Sequence, residues 1–134
     1  MSISREIISN AIKAGASDIH LEEDAPIAVR INSDIKISSQ NIDNNQMNQL
    51  FNELIEEKDI YKFKETSDLD TSIGIEGLSR IRINAYISNN KRCLTLRILP
   101  NSPPAWENIG LPQEFINLAN LHKGLILCTG PTGS

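Results

Sequence analysis

The chain has 134 residues, of which 40% are hydrophobic and 22% are charged, and its formal net charge is −4. A chain of this length buries about two thirds of its unfolded surface, so it can form a core without disulfides or metals. The composition excludes a wholly disordered protein, and the acidic balance gives no sign of nucleic acid or an anionic membrane as a partner.

A helix is predicted at the N-terminus. Ser2 or Ser4 can cap it, apolar residues then recur at helical spacing, and Gly15 ends it. No signal peptide is expected, because Glu6 lies near the start and no continuous apolar stretch follows it. The sequence also lacks an apolar run close to the roughly 20 residues that a transmembrane segment needs.

The next segment is predicted to be a β-hairpin. Residues 17–22 and 26–37 alternate between polar and apolar, and the second stretch is interrupted by turn residues at 32–34. Polar residues 38–45 then lead into the next helix.

Two helices and three strands follow. Asp43 is the predicted cap of a helix whose apolar stripe runs from Met47 to Ile55, and residues 58–65 predict a further short helix. The three alternating stretches after them predict an antiparallel meander with one buried and one polar face. These stretches cover residues 68–75, 80–87 and 93–98.

A cluster of prolines separates two parts of the sequence. It predicts a domain over residues 1–99, a linker over residues 100–105 and a second segment over residues 106–134. That segment carries a helix pattern around Phe115 and a continuous apolar run at 125–129, which is typical of a strand covered on both faces.

Few side chains suggest a metal or a nucleophile. Cys93 and Cys128 lie in apolar runs without metal-ligand spacing, so we expect buried free thiols. Asp18 and His20 share a strand face, where a structural hydrogen bond is favoured over a catalytic dyad because no nucleophile is marked. The acids at 22–24 are interpreted as a solvated turn, and no metal site is predicted.

Three arginines on the predicted meander are candidates for binding an anion. Arg80 and Arg82 share one face of their strand, and Arg97 lies on the polar face of the next. If these strands pair, the guanidinium groups converge on one surface, which suits phosphate recognition. The alternative is a solvated sheet face balanced by Asp68 and Asp70.

The last five residues are candidates for binding a nucleotide. Gly130, Pro131, Thr132, Gly133 and Ser134 follow the apolar run and match the first five positions of the phosphate-binding pattern G-x-x-x-x-G-K-S/T. In that pattern backbone N–H groups surround the phosphates, the lysine neutralises them and the final hydroxyl ligates Mg²⁺. A terminal turn is the alternative interpretation.

Six stretches occur in an order and spacing that carry a resemblance. They are Ala16-Ser17-Asp18-Ile19-His20-Leu21, Pro26-Ile27-Ala28-Val29-Arg30-Ile31 with Asp34, Glu65-Thr66-Ser67-Asp68, Arg80-Ile81-Arg82-Ile83-Asn84-Ala85-Tyr86, Leu96-Arg97-Ile98-Leu99-Pro100, and the run from Gly124 to Ser134. Together they resemble motifs of the PilT-like type II/IV secretion and type IV pilus ATPases, although Ser33 stands where that family usually has glycine.

The resemblance implies an α/β (α+β) fold. A PAS-like N-terminal domain with a mainly antiparallel sheet and flanking helices would be followed by the first helix and strand of a RecA-like P-loop domain. The implied protein is a hexameric motor on the cytoplasmic side of the inner membrane, which uses ATP and Mg²⁺ to assemble, retract or export protein polymers. It would work with inner-membrane platform proteins. Arg82 and Arg97 match arginines that reach the nucleotide phosphates as catalytic groups, and residues 130–134 match the nucleotide-binding loop.

The sequence departs from the family where it stops within the P-loop. The P-loop Lys and Ser/Thr are missing, as are the aspartate-rich box, the Walker B segment and the histidine box. We therefore expect a fragment that does not hydrolyse ATP alone. The alternative is a free-standing PAS-like binding or interaction module from a truncated motor gene.

Overall fold

The computed structural model describes residues 2–100, 102–103 and 105–130 of the chain. Contacts divide the chain into two units, residues 1–101 and residues 102–134. Within residues 2–100 the first unit contains α1 (Ile3–Lys13), β1 (Asp18–Glu22), β2 (Ala25–Ile31), β3 (Asp34–Ile42), α2 (Asn44–Leu54), α3 (Glu57–Thr66), β4 (Asp68–Gly74), β5 (Arg80–Ser88) and β6 (Lys91–Leu99).

Local capping fixes where the first helices begin. The Ser2 hydroxyl accepts a hydrogen bond from the Arg5 N–H at the start of α1. At the start of α2, Asp43 and Gln46 bond each other's backbone N–H in a capping box. The predicted caps are confirmed, because they depend only on neighbouring residues.

The strands of the described residues form one antiparallel sheet in the order β3-β2-β1-β6-β5-β4. The predicted hairpin β2–β3 and the meander β4–β5–β6 are both confirmed. β1 pairs on one side with β2 and on the other with β6, so the sheet joins the hairpin to the meander through its first and last strands. The mixed fold with a mainly antiparallel sheet and flanking helices is therefore confirmed.

β3 is longer than its sequence pattern indicates. It continues through polar residues 38–41 to Ile42, and it pairs with β2 across a register shift between Pro26 and Ala28. β3 lies at the edge of the sheet and all its residues except Ile42 are exposed. An exposed edge strand needs no apolar alternation, which explains why the pattern stops at Ile37.

One face of the sheet and the helices enclose the hydrophobic core of the first unit. The core is a single cluster that includes side chains from α1, α2, α3 and strands on both sides of β1. Fully buried members are Ile8, Ile19, Leu21, Ile42, Met47, Leu50, Ile81, Ile83, Leu94 and Leu96. Side chains alternate along a strand, so the neighbours of the buried residues on β5 and β6 point to the opposite face of the sheet, which we call the open face.

The second unit contains little regular structure. Among its described residues, Trp106–Ile109 forms a short 3₁₀ helix and Gln113–Ala119 forms the predicted helix, α4. The strand predicted at 125–129 is wrong for this chain. Residues 124–130 have no regular structure, and Leu125 is 82% exposed. A strand needs a neighbour to satisfy its backbone groups, and no described residue pairs with this run.

The two cysteines differ in burial, because Cys93 lies in the sheet and Cys128 lies in the unpaired run. Cys93 on β6 is buried as predicted, whereas Cys128 is exposed, so the expectation of two buried thiols is wrong for Cys128. Among the described residues, every helix is too short or too polar to cross a membrane.

Candidate functional site

Arg82 and Arg97 lie side by side on the open face of the sheet, and we call them the arginine pair. β5 and β6 are antiparallel neighbours in a register that places Arg82 directly opposite Arg97. Their side chains are 58% and 60% exposed, respectively. The structure therefore brings together the two arginines that the sequence singled out.

Arg80 lies on the same face of β5, two residues before Arg82. It is opposite Leu99 on β6 and Gly74 on β4, and its Nη2 donates to the Ser72 hydroxyl at 3.0 Å. An open depression of about 570 Å³ extends beside Arg80 and Arg82. All three arginines thus share one surface.

Arg82 is paired with Asp70 of β4. Its Nε and Nη2 donate to the two carboxylate oxygens of Asp70 at 3.1 and 2.7 Å. These hydrogen bonds hold the pKa of Asp70 below its ordinary value. Both partners are exposed, so solvent screens their attraction and the pair contributes little to stability.

Arg97 is paired with Asp18 of β1. Its Nε donates to Asp18 Oδ1 at 2.9 Å, and the Asp18 side chain is only 9% exposed. Ser17 donates to Asp18 Oδ2 at 2.8 Å, and the Arg30 Nε lies 3.7 Å from the same oxygen. Burial alone raises the pKa of Asp18, but the hydrogen bonds from Arg97 and Ser17 outweigh it, so the pKa lies below its ordinary value.

The acids that balance the arginine pair are not both those expected from the sequence. Asp70 was expected, but Asp68 instead accepts a hydrogen bond from Asn84 at 3.3 Å, and Asp18 takes its place. Asp18 becomes a neighbour of Arg97 only because β1 pairs with β6. No local sequence signal reports that pairing, since the two residues are 79 positions apart.

Two like charges directly opposite each other on neighbouring strands destabilise a sheet. Here each cation is offset by its own carboxylate, and a shallow depression of about 210 Å³ lies between them. Its lining residues are Asp70, Arg82, Asn84, Thr95 and Arg97. Planar guanidinium groups beside such a depression can bind an oxyanion through charge-assisted hydrogen bonds.

Asp18 and His20 lie on the same strand face, but they have different partners. His20 Nδ1 lies 3.4 Å from the Thr95 hydroxyl, and the Asp18 carboxylate bonds Arg97 and Ser17. Both residues therefore join β1 to β6, which agrees with a structural role at this end of the sheet.

The remaining predicted site residues lie near the end of the chain. Gly130 is exposed and outside regular structure, and Pro131, Thr132, Gly133 and Ser134 lie outside the described residues. Among the described residues, no group of three or more His, Cys, Asp or Glu side chains is placed to hold a metal ion. Within the part of the chain that the structure describes, the fit for phosphate oxygens is offered by the arginine pair.

Known proteins resemble this chain over nearly its whole length. A family model described as "Type II/IV secretion system protein" matches residues 1–134. The type IV pilus retraction ATPase PilT of Pseudomonas aeruginosa is 30% identical over 130 residues, which are 96% of this chain and 38% of that protein. The type IV pilus ATPase PilU of the same organism is 23% identical over 124 residues, which are 92% of this chain and 32% of that protein.

Solved structures show the same relationship. A structure of the pilus retraction motor PilT with bound ADP matches with a TM-score of 0.84 and 38% identity, covering 100% of this chain and 39% of that one. The ATPase DotB of Legionella pneumophila matches with a TM-score of 0.63 and 24% identity, covering 97% of this chain and 37% of that one, and shows the fold alone. The chain thus spans less than two fifths of the length of these relatives.

Proposed function

Because the chain belongs to the type II/IV secretion system protein family, we propose that it is the N-terminal portion of a motor ATPase. Such a motor couples ATP binding and hydrolysis to the assembly, retraction or export of a protein polymer. The likeness of the whole chain to an ADP-bound pilus retraction motor supports this function. The chain's span of 38% of a related pilus ATPase supports its being a portion rather than the whole.

The arginine pair is the observation that carries the proposal. Arg82 and Arg97 place two cations side by side on an exposed surface, an arrangement that costs stability unless carboxylates offset the charges, as Asp70 and Asp18 do here. A pair of like charges that needs such compensation is expected where function requires it. We assign both arginines to the phosphates of a bound nucleotide, where their guanidinium groups neutralise the charge that develops during phosphoryl transfer.

The nucleotide itself supplies the phosphoanhydride bond whose hydrolysis drives the motor. Residues 130–134 match the start of a P-loop, so their backbone N–H groups would contribute to holding the phosphates. The proposed organisation is a PAS-like domain over residues 1–99, a linker over 100–105 and the start of a RecA-like domain over 106–134. The division of contacts between residues 101 and 102 supports this boundary.

Family membership supports a proposed setting for this motor. The motor would be a hexameric ring that uses Mg²⁺ and ATP, and partner proteins would hold it at the cytoplasmic face of the inner membrane. Arginines supplied by one subunit to the nucleotide of another would couple hydrolysis to ring movement.

The first experiment uses the protein that continues this chain in frame through Gly-Lys-Ser/Thr. Arg82→Ala and Arg97→Ala should each lower kcat by about 10²-fold, because a charge-stabilising donor is removed. Lys62→Ala, an exposed cation on α3, is the control and should leave kcat unchanged. Equal activity of the arginine variants and the control would exclude the proposed role.

The second experiment uses the 134-residue chain alone. It lacks the P-loop Lys and Ser/Thr, so it should release no phosphate from ATP above a buffer blank in a malachite-green assay with Mg²⁺. Mg²⁺-dependent turnover would show that the P-loop Lys and Ser/Thr are not needed for ATP hydrolysis.

One observation favours a second candidate, a free-standing PAS-like binding or interaction module. The core cluster of the described residues lies entirely between Ile7 and Leu96, so the first unit has a core of its own. A stop codon directly after Ser134, together with a folded monomer in solution, would favour this module over the motor portion.

A further inference from the structure

The two arginines of the pair are held by their carboxylates in different ways. Asp70 accepts from both Nε and Nη2 of Arg82, so it occupies one complete edge of that guanidinium group. Arg97, by contrast, donates to Asp18 through Nε alone. In the contacts of the described residues, the Nη1–Nη2 edge of Arg97 has no carboxylate partner, and the Arg97 side chain lines the depression.

The two carboxylates also differ in how firmly they are placed. Asp18 is 9% exposed and is fixed by Ser17 and by Arg30 as well as by Arg97. Asp70 is 50% exposed, and among the described residues the hydrogen bonds and ion pair of its side chain are all to Arg82. Moving Asp70 into water therefore breaks one solvated ion pair, whereas moving Asp18 breaks a buried network.

The register explains why Asp70 can leave without disturbing the sheet. Ser72 is the residue of β4 directly opposite Arg82, and Asp70 is opposite Asn84. The Asp70–Arg82 pair is thus a diagonal contact, made by side chains that reach along the strands. A change of rotamer separates it while every ladder hydrogen bond remains.

We infer that Asp18 is a positioning residue, which aims Arg97 at a phosphate oxyanion, whereas Asp70 is an exchangeable carboxylate, which Arg82 releases when that oxyanion binds. The inference deepens the proposed function and rests on it. A phosphate oxygen offers the same acceptor geometry as a carboxylate, so it can replace Asp70 on the Nε–Nη2 edge of Arg82. Arg97 needs no exchange, because its Nη1–Nη2 edge carries no carboxylate from the described residues and its side chain already lines the depression.

The electrostatics agree with this division. The pKa of each acid lies below its ordinary value, so both are ionised at neutral pH. A phosphate that reaches the depression repels both carboxylates. Asp70 can respond by turning into solvent, whereas the partners of Asp18 neutralise it where it is.

The test compares two variants of the 134-residue chain that change the net charge equally. Asp70→Asn and Asp18→Asn each remove one negative charge from the same face, so the general gain in attraction for anions is matched. Inorganic tripolyphosphate is the probe, and its affinity is measured by calorimetry at low ionic strength. Asp70→Asn should bind about two- to fivefold more tightly than the wild type, since the competing pair is removed. Asp18→Asn should bind no more tightly than the wild type, since Arg97 loses its anchor.

A measurement on the wild-type chain keeps the inference testable if Asp18→Asn does not fold. Nuclear magnetic resonance follows the side-chain carboxyl carbons of both acids and the Nε–Hε groups of both arginines while tripolyphosphate is added. The Asp70 carboxyl and Arg82 Nε–Hε signals should shift, whereas the Asp18 carboxyl signal should stay in place.

The possible failures are distinguishable. Equal tightening by the two variants, or equal shifts of the two carboxyl signals, would overturn the inference and leave the phosphate site intact. If neither arginine responds to tripolyphosphate in the wild type or in Asp70→Asn, the phosphate contact itself fails, and the inference fails with it.

Discussion

At the scale of single residues, Arg92 shows how one side chain joins separate elements of the first unit. Its Nε and Nη2 donate to the Glu23 carboxylate at 3.1 and 3.2 Å, and its Nη1 donates to Asn48 at 2.6 Å. The guanidinium carbon lies 5.5 Å from the centre of the Phe51 ring. Arg92 therefore ties β6 to the turn after β1 and to α2. Its hydrogen bonds lower the pKa of Glu23 to about 2.

Glu23→Gln should lower the free energy of unfolding at pH 7 by about 1–3 kcal/mol, because a charged hydrogen-bond partner is lost from a mostly buried network. A depressed pKa stabilises the folded state fully above the ordinary value of 4.5, and this contribution disappears as the pH falls toward 2. Urea unfolding of the wild type should therefore show a steeper loss of stability between pH 4.5 and pH 2 than unfolding of the variant.

Glu22→Gln is the matched control for this prediction, since Glu22 is the exposed neighbouring acid. It should change stability by less than about 0.5 kcal/mol. An equal effect of the two substitutions would show that net charge, rather than the Arg92 contact, is responsible.

At the scale of secondary-structure elements, local patterns succeed where an element depends on its own residues. α2 was predictable because its cap and its apolar stripe lie within one short segment. The polar half of β3 was not, because an edge strand takes its conformation from its partner, β2. The run at 125–129 shows the opposite case, in which a strand-like sequence forms no strand. Its composition is that of a buried strand, yet no described neighbour pairs with it.

The capping box at the start of α2 should be measurable in stability. Asp43→Ala removes the acceptor for the Gln46 N–H and should lower the free energy of unfolding by about 1 kcal/mol. Asn45→Ala lies in the same first turn and is exposed, so it should be neutral or slightly stabilising, because alanine has the higher helix propensity. Thermal unfolding followed by circular dichroism separates the two, and a more destabilising Asn45→Ala would contradict the capping argument.

The unpaired run at 125–129 should exchange its amide hydrogens rapidly. Its backbone N–H groups have no ladder partners among the described residues, and Leu127 is 74% exposed. Hydrogen exchange on a dilute sample should show protection close to that of an unstructured peptide, in contrast to residues 93–97 of β6. Strong protection of residues 125–129 in a dilute monomer would mean that the run has found a partner.

At the scale of the whole molecule, the arrangement of the strands decides which sequence predictions could reach the site. Arg82 and Arg97 were placed together correctly because β5 and β6 are consecutive and share a short turn. The pairing of Asp18 with Arg97 escapes the sequence pattern, because the partner strand of β1 is β6, the last strand among the described residues. The local sequence pattern cannot predict the pairing of β1 with β6, because that pairing depends on how the whole sheet packs around one core.

The first unit should fold without the second. All members of the core cluster lie between Ile7 and Leu96, so a chain ending at residue 101 keeps every one of them. Its melting temperature should lie within about 2 °C of that of the full chain, with a cooperative transition. A chain ending at residue 90 is the control and should not fold, because it lacks β6. Loss of the transition in the longer truncation would show that the second unit contributes to the core.

The position of β6 between β1 and β5 also limits when the sheet can form during synthesis. The contact between Asp18 and Arg97 cannot form until Arg97 has been synthesised, 79 residues after Asp18. At typical translation rates of 5–20 residues per second, that wait is about 4–16 s. During this interval β1 can pair with β2, but its other edge has no native neighbour. The nascent chain therefore carries half a sheet whose β1 edge still lacks its native partner, and the domain is completed only when β6 has left the ribosome.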